Sequence, residues 1–432
     1  MSVVGMPGYQ ESAAGWIPAD WSPLPLGAVA SVRKDKGVAK QGVPCVELEH
    51  VEPETGRLLG WDSSGTQASI KTAFKRGDVL FGKLRPYLRK YAVAPFDGIC
   101  TTEMLAIHPR DGQSDCQFLF HLMQGDGVFA TVKALSYGTK MPRVSWTDLS
   151  DIVLGIPPLP EQQKIAAILT AVDDKLDVIA RQIEATQTLK QGLMQTLFSR
   201  GVGTQDADGR WVPHAEFKDS ELGKIPVGWQ VTTVGEVCEV KGGKRLPKGE
   251  ALTEENTGFP YIRVTDMYMG GVNAEGVLYV PAHVQPGIAR YTISKDDIFI
   301  SVAGTLGLVG VVPEELDGAN LTENADKLTE IKICRDFLLY CLCSDAIQGA
   351  IAREGTSNAQ PKLALTRIRE LLLPLPTRHE QERIAAVLKS VGDKLATLQS
   401  KEKRYQLLKR GLMQKLLTGE WRVSVDASAA ET

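Results

Sequence analysis

The sequence predicts an α+β chain built from two globular domains in tandem, each followed by a long helix, with the two helices pairing as a coiled coil. Three observations lead there. The segment EQQKIAAILTAVDDKLDVIARQIEATQTLKQGLMQTL, from Glu161, returns without a gap as EQERIAAVLKSVGDKLATLQSKEKRYQLLKRGLMQKL, from Glu380. The copies lie about 220 residues apart and agree at roughly half their positions, the mark of an internal duplication. Both are amphipathic with a helical period, and the same succession of short strands precedes each.

The elements follow in order. Ile17 opens IPADWSPLPLGAVASV and Ile225 opens IPVGWQVTTVGEVCEV, each an Ile-Pro, then a Trp, then a short alternating strand after a glycine. GDVLFGKLRPYLRKYAVAP and KDDIFISVAGTLGLVGVVP, with Asp78 matching Asp297, both read as strand, turn and second strand from their apolar runs around turn residues. YGTKMPRVSW and EGTSNAQPKLAL are Gly-Thr loops closed by a proline. DIVLGIPPLP and ELLLPLP are strands that feed the helices.

In the first helix Ile165, Leu169, Val172, Leu176, Ile179 and Ile183 alternate in steps of four and three, a heptad seam. Ile384, Leu388, Val391, Leu395 and Leu398 keep the same phase in the second. Thr186 and Lys190, and Glu402 and Lys409, interrupt the seams, and polar residues at such positions fix register at some cost in stability. A helix of about 38 residues is roughly 57 Å long. Alone it would leave its seam wet, so the two seams are expected to bury each other, in preference to each folding back onto its own domain. The boundaries are 1–157 for the first domain, 158–200 for the first helix, 201–373 for a linker and the second domain, 374–420 for the second helix and 421–432 for the tail. The linker, GVGTQDADGRWVPHAEFKDSELGK, is polar and turn-rich, and the end of the chain, SVDASAAET, is expected to be disordered.

Composition is that of an ordinary globular protein, with 43% apolar and 23% charged residues. No apolar run could span a bilayer, and the first residues carry no basic leader or apolar stretch, so a cytoplasmic protein is expected. The seven cysteines are scattered without a CxxC pair, which indicates neither a disulfide framework nor a zinc site. The net charge of −3 counts against a uniformly basic nucleic-acid binder. The cations are clustered, however. KTAFKRGDVLFGKLRPYLRK holds Lys71, Lys75, Arg76, Lys83, Arg85, Arg89 and Lys90 against Asp78 alone, and KGGKRLPKG holds Lys241, Lys244, Arg245 and Lys248. Local fields decide where a polyanion docks; solvated faces are the other reading of such runs.

Catalytic patterns are missing. There is no GxxxxGK[ST] loop, no HExxH and no Asn-Pro-Pro-aromatic segment. GTLGLVG has the wrong spacing for a dinucleotide loop and fits a hairpin. Glu239-Val240-Lys241 resembles half of a nuclease motif but reads as a strand end. Asp173 and Asp174 read as solvated residues on an exposed helix face.

In its helix entries PLPEQQKIAAIL and PLPTRHEQERIAAVL, its GLMQ helix ends, its Ile-Pro…Trp domain openings and its GDVLFGKLRPYLRK hairpin, the chain resembles the specificity subunit of type I restriction–modification systems, over nearly its whole length. That resemblance implies two target-recognition domains, each reading half of a split, asymmetric DNA target, and an antiparallel helix pair that holds them apart. It also implies that this subunit is non-catalytic and holds no cofactor. Two methyltransferase subunits would dock on it, and ATP-dependent restriction subunits would join the complex. S-adenosylmethionine, ATP and Mg are expected in those partners. The second hairpin, ISVAGTLGLVG, departs from the first in lacking its cations, so phosphate contacts do not transfer to it residue by residue.

The DNA-binding candidates are Lys75, Arg76, Lys83, Arg85, Tyr87, Arg89, Lys90, Lys140 and Arg143 in the first domain, and Lys241, Lys244, Arg245, Lys248 and Lys362 in the second. Arginine can bond guanine bidentately and either cation can neutralise phosphate. Tyr87, between Arg85 and Arg89, is expected to pack within the hairpin, with stacking on a base its other role. A coiled-coil scaffold without DNA, or the recognition half of another modification or defence enzyme, are the competing functions. The scaffold leaves the concentrated basic segments unexplained, and the enzyme lacks sequence for a catalytic region.

Overall fold

The computed structural model describes residues 7–66, 69–138, 140–355 and 362–424. Thr139 of the first Gly-Thr loop, most of the second such loop and the tail from 425 lie outside them. The chain divides into two compact units, Met1–Arg181 with Gln399–Thr432, and Gln182–Leu398. Each unit therefore holds one globular domain, the first part of the long helix that follows it, and the last part of the other long helix.

The first unit is organised by a four-stranded antiparallel sheet in the order Ala30–Val32, Met104–Pro109, Val79–Gly82, Tyr91–Val93. A second sheet runs Lys36–Gly37, Lys71–Phe74, Gly98–Cys100, Cys45–Val46, its last pair parallel. Every residue of Val79–Gly82 is buried, because the strand is covered on both faces. Its alternation sends Val79 and Phe81 into a core with Leu119, Phe129, Ile165 and Leu169, and Leu80 into another with Val46, Phe74 and Met104.

The second unit repeats the plan: Glu239–Gly242, Ala325–Thr329, Ile298–Ser301, Val309–Val311 form the antiparallel sheet. Ile298 and Ile300 enter one core and Phe299 another. Its second sheet again places a central strand, Ala319–Leu321, between a parallel and an antiparallel neighbour. The predicted hairpins are present, but not in identical register. Val79 pairs with Val93, whereas Ile298 pairs with Val311, so the first hairpin loop is one residue longer.

The duplication reaches individual hydrogen bonds. The Asp78 and Asp297 carboxylates each accept from the backbone N–H three residues earlier, at Lys75 (2.7 Å) and Ser294 (2.9 Å). Trp21 donates its indole N–H to buried Glu161 (3.0 Å), and Trp229 does the same to buried Glu380 (2.8 Å). Hydrogen bonds to an ionised partner contribute about 1.5–3 kcal/mol. The Ile-Pro…Trp opening of each domain is thus tied to the first turn of the helix that follows it. The next residue is also shared. Gln162 accepts from the Asp115 N–H and Gln381 from the Cys334 N–H, while both donate to a proline carbonyl at the helix entry.

The long helices are Leu159–Arg200 and Arg378–Leu416. In the first unit Ile165 and Leu169 share a core with Leu412, Met413 and Leu416 of the second helix. In the second unit Ile384 and Leu388 share one with Leu193, Met194, Leu197 and Phe198 of the first. The start of each helix thus meets the end of the other, and within each unit the pairing is antiparallel. Val172, Ile179 and Leu398 are buried, while Leu176, Ile183, Val391 and Leu395 are half-buried. Pairing and folding back are not alternatives here, because Ile165, Leu169, Ile384 and Leu388 belong to the domain cores as well.

Two sequence expectations need correcting. The segment read as a linker is structured, with hairpins pairing Thr204–Gln205 to Trp211–Val212 and Phe217–Ser220 to Gly223–Pro226. It closes over Glu380, which accepts from the Val202 and Gly203 N–H groups (3.0 and 3.2 Å) and lies 3.0 Å from His214 Nε2. The chain after the second helix closes over Glu161 in the same way, through Arg422 at 2.8 and 3.0 Å. Second, Asp173 is not a solvated residue like its exposed neighbour Asp174. It bonds Lys409 Nζ of the other helix at 2.7 Å, and Lys409 also donates to Gln124 at 2.8 Å. Lys409, a polar interruption of the seam, is therefore a buried cross-helix contact.

Beside this pair His121 is fully buried, with Nε2 3.0 Å from the Thr170 hydroxyl and Nδ1 without a hydrogen-bond partner, 3.9 Å from Asp173 Oδ2. Burial, reinforced by Lys409, lowers its pKa from 6.5 to about 3. The unfolded chain takes up this proton below about pH 6.5 and the folded unit does not until about pH 3. Stability contributed by neutral His121 is thus lost as pH falls through that window, by up to about 1.4 kcal/mol per pH unit. Burial pushes the Asp173 carboxyl up from its usual value, so Asp173 works in the opposite sense near the acid end. His121→Gln should flatten the unfolding profile of the first unit between about pH 6.5 and 4, measured by urea denaturation at each pH.

Candidate nucleic-acid interface

In the first domain the hairpin loop between Phe81 and Tyr91 carries half of the predicted cations, Lys83, Arg85, Arg89 and Lys90. It contains one 3-10 turn, Pro86–Leu88, bracketed by Arg85 and Arg89, both left-handed with φ of 48° and 51°. Left-handed backbone costs a non-glycine residue about 1–2 kcal/mol, so surrounding bonds must hold it. The Arg85 N–H donates to the Pro142 carbonyl at 2.7 Å, the Val144 N–H to Lys83 at 3.1 Å, and the Lys83 N–H to Glu103 at 3.0 Å. Leu84 also bridges to Arg143. The hairpin loop and the Gly-Thr loop are thus one stapled assembly.

The predicted cations then separate into two groups. Arg89 bonds Asp126 (3.0 Å) and the Gln124 carbonyl (2.8 Å) and lies 4.4 Å over the Phe129 ring. Lys90 donates to the Leu48 carbonyl at 2.6 Å, Lys75 pairs with Asp97 at 2.9 Å, and Arg143 pairs with Glu103 at 2.9 Å. Among the described residues, the side chains of Arg76, Lys83, Arg85 and Lys140 make no hydrogen bond or ion pair, and all but half-buried Lys83 are exposed. Tyr87 is 55% exposed. The expectation that it packs in the hairpin is corrected: the loop residues around it bond to their own backbone and leave its ring outside.

Arg89 sits where its loss is structural. Arg89→Ala should lower the stability of the first unit by about 1–3 kcal/mol, through a charge-assisted hydrogen bond and a cation–π contact. Thermal unfolding of the variant measures this.

In the second domain Lys241 is held between Glu239 (2.6 Å) and Glu330 (3.2 Å), so the Glu-x-Lys triplet is an ion pair at a strand. Lys244 lies 5.7 Å from the Tyr291 ring. Arg245, Lys248 and Lys362 are exposed, and none makes a side-chain hydrogen bond or ion pair among the described residues. Lys362 bridges by its backbone to Ala303 as Arg143 does to Leu84. Burial raises the nearby Asp326 carboxyl to about 6, against the pull of Lys362 and Arg369. One cation escaped the sequence reading. Arg290 lies 4.9 Å over Tyr291 and bonds its hydroxyl at 2.8 Å, so this ring carries both Lys244 and Arg290. Arg290 is isolated in QPGIARY, and only the fold brings it to the basic cluster.

The type I restriction modification DNA specificity domain matches residues 60–187 and 226–408, one copy for each domain and the helix after it. The chain belongs to the type I restriction–modification specificity family. Among its relatives, the type I restriction enzyme MjaVIII specificity subunit of Methanocaldococcus jannaschii is 27% identical over 90% of this chain and 84% of its own. The putative MjaX specificity subunit of the same organism is 25% identical over 96% and 97%. A crystal structure of the S subunit of a type I system from M. genitalium shares the fold, with TM-score 0.60 and 19% identity over 92% of this chain and 96% of that one. The specificity subunit is the member of such a system that selects DNA, and it is not the catalytic member. Within this specificity subunit, the two matched regions carry the same scaffold and unlike loops.

Proposed function

We propose that this specificity subunit reads a split, asymmetric DNA target, one half with each globular domain, and that it docks two methyltransferase subunits. The observation that carries this is the pairing of a repeated scaffold with unlike cationic loops. Lys83, Arg85, Lys140 and Arg76 stand free in the first domain, whereas Arg245, Lys248 and Lys362 do so in the second, with Arg290 beside them. Identical frames with different loops can present different hydrogen-bonding groups to two stretches of one duplex. Arg89, Lys90, Arg143, Lys75 and Lys241 serve mainly to hold these loops in shape.

The helices supply the docking surface. Their apolar side chains Val178, Leu407 and Leu408 in the first unit and Leu189 in the second are 47%, 67%, 49% and 54% exposed and are available to a partner subunit. S-adenosylmethionine, ATP and Mg act in the methyltransferase and ATP-dependent restriction subunits, in the cytoplasm. Because the chain's net charge is −3, it neutralises few phosphates unaided. Its DNA affinity should rise sharply when methyltransferase is added, and equally tight binding by the isolated chain would refute this. Mapping methylated bases across host DNA with and without the gene tests the whole reading. A split, asymmetric motif should vanish with the gene; loss of a continuous palindrome, or no loss, would overturn it.

A further inference from the structure

The Gly-Thr loop of the first domain is closed by two backbone bonds between Tyr137 and Arg143, at 3.0 and 2.9 Å. Arg143 is anchored in turn by Glu103 and by its bridge to Leu84. The base of the loop is therefore fixed to the hairpin, while the side chains of Tyr137, Lys140 and Met141 are left in water. Tyr137 is 57% exposed and Met141 45%, close in sequence to free Lys140, and the stapled neighbouring loop presents Tyr87 at 55%. Burying such side chains is favourable, so several of them exposed on neighbouring loops mark a contact surface.

The charge around them selects the partner. The loops KLRPYLRK and YGTKMPR carry six cations and no acid. Protein interfaces favour tyrosine, methionine and arginine but are depleted in lysine. The three lysines and the absence of any acid here suit DNA instead, where apolar side chains among cations meet thymine methyl groups or wedge against a base step. We propose that Tyr137 and Met141 contact bases of one half-site and set the sequence preference there, while Arg85 and Lys140 hold the phosphates. This rests on the DNA-reading role proposed above and adds the residues that choose bases in the first domain.

The test uses the full chain assembled with its methyltransferase subunits, acting on a duplex library randomised through both half-sites. Tyr137→Ser and Met141→Ala are each expected to relax discrimination at one or two positions of a single half-site by about tenfold or more. The other half-site and the unfolding temperature should not change. The Arg85→Ala, Lys140→Ala double variant should slow methylation of all sequences alike and flatten its salt dependence. If neither Tyr137→Ser nor Met141→Ala alters preference while the double variant still weakens methylation, the inference is overturned and the DNA-reading role stands. If the double variant is also without effect, the role assigned to this face fails. Loss of discrimination in both half-sites would likewise overturn the inference, since it would mean a general structural change.

Discussion

Asp173→Ala is expected to destabilise the first unit by about 2–4 kcal/mol, more than Lys409→Met. The two side chains are 23% and 11% exposed and 2.7 Å apart. Removing the carboxylate leaves a buried ammonium group with only the neutral Gln124 amide to accept from it, and breaking a buried pair in this way costs about 3–5 kcal/mol. The expected loss is smaller because Asp173 keeps some contact with water. Replacing the lysine by an apolar residue of similar length should be milder, because the Asp173 carboxylate it leaves behind is more exposed than Lys409 and keeps contact with water. The double variant should therefore recover most of the stability lost in Asp173→Ala. Urea unfolding of the four members of this cycle measures the coupling. The repeat supplies a control. At the positions equivalent to Asp173 and Lys409 the chain has Gly392 and Lys190, so Lys190→Met in the second unit should cost less than about 1 kcal/mol.

The second large effect is on DNA. A Lys83→Ala, Arg85→Ala, Lys140→Ala variant should lose about 100-fold or more in methylation rate at low substrate concentration. A lost hydrogen bond to a charged phosphate is worth about 1.5–3 kcal/mol, and each lost phosphate contact reduces the salt slope by roughly one. Because these side chains make no hydrogen bond or ion pair among the described residues, the unfolding temperature should hardly move. Arg89→Ala and Arg143→Ala should show the reverse, a loss of stability with a smaller effect on the salt slope. A variant series measured at two salt concentrations separates the groups.

The scaffold was legible because duplication prints it twice. The Trp21–Glu161 and Trp229–Glu380 bonds join residues that stand out in both copies, and the helix seams show as heptads. What failed was reading charge from one element at a time. Asp173 looks solvated along its own helix, because Lys409 lies 236 residues further on in the sequence. The cations of the first domain look uniform in sequence, yet Arg89, Lys90 and Arg143 are claimed by Asp126, the Leu48 carbonyl and Glu103. Those partners come from other elements, and no local pattern reveals them. Tyr87 was misjudged for a related reason: the 3-10 turn between two left-handed arginines turns its ring outward, and nothing in PYLR announces that backbone. Arg290 was missed because one cation in a long loop carries no pattern.

The central claim is that the two globular domains read separate halves of one target on a common scaffold. It is tested most directly by exchanging the first domain, through the strand Val153–Ile156 that feeds the helix, for that of a relative with a different target, and mapping methylated bases at single-base resolution. One half of the motif should change to the donor's, while the other half and the gap between them stay as they were. Change in both halves, or in neither, would contradict the account.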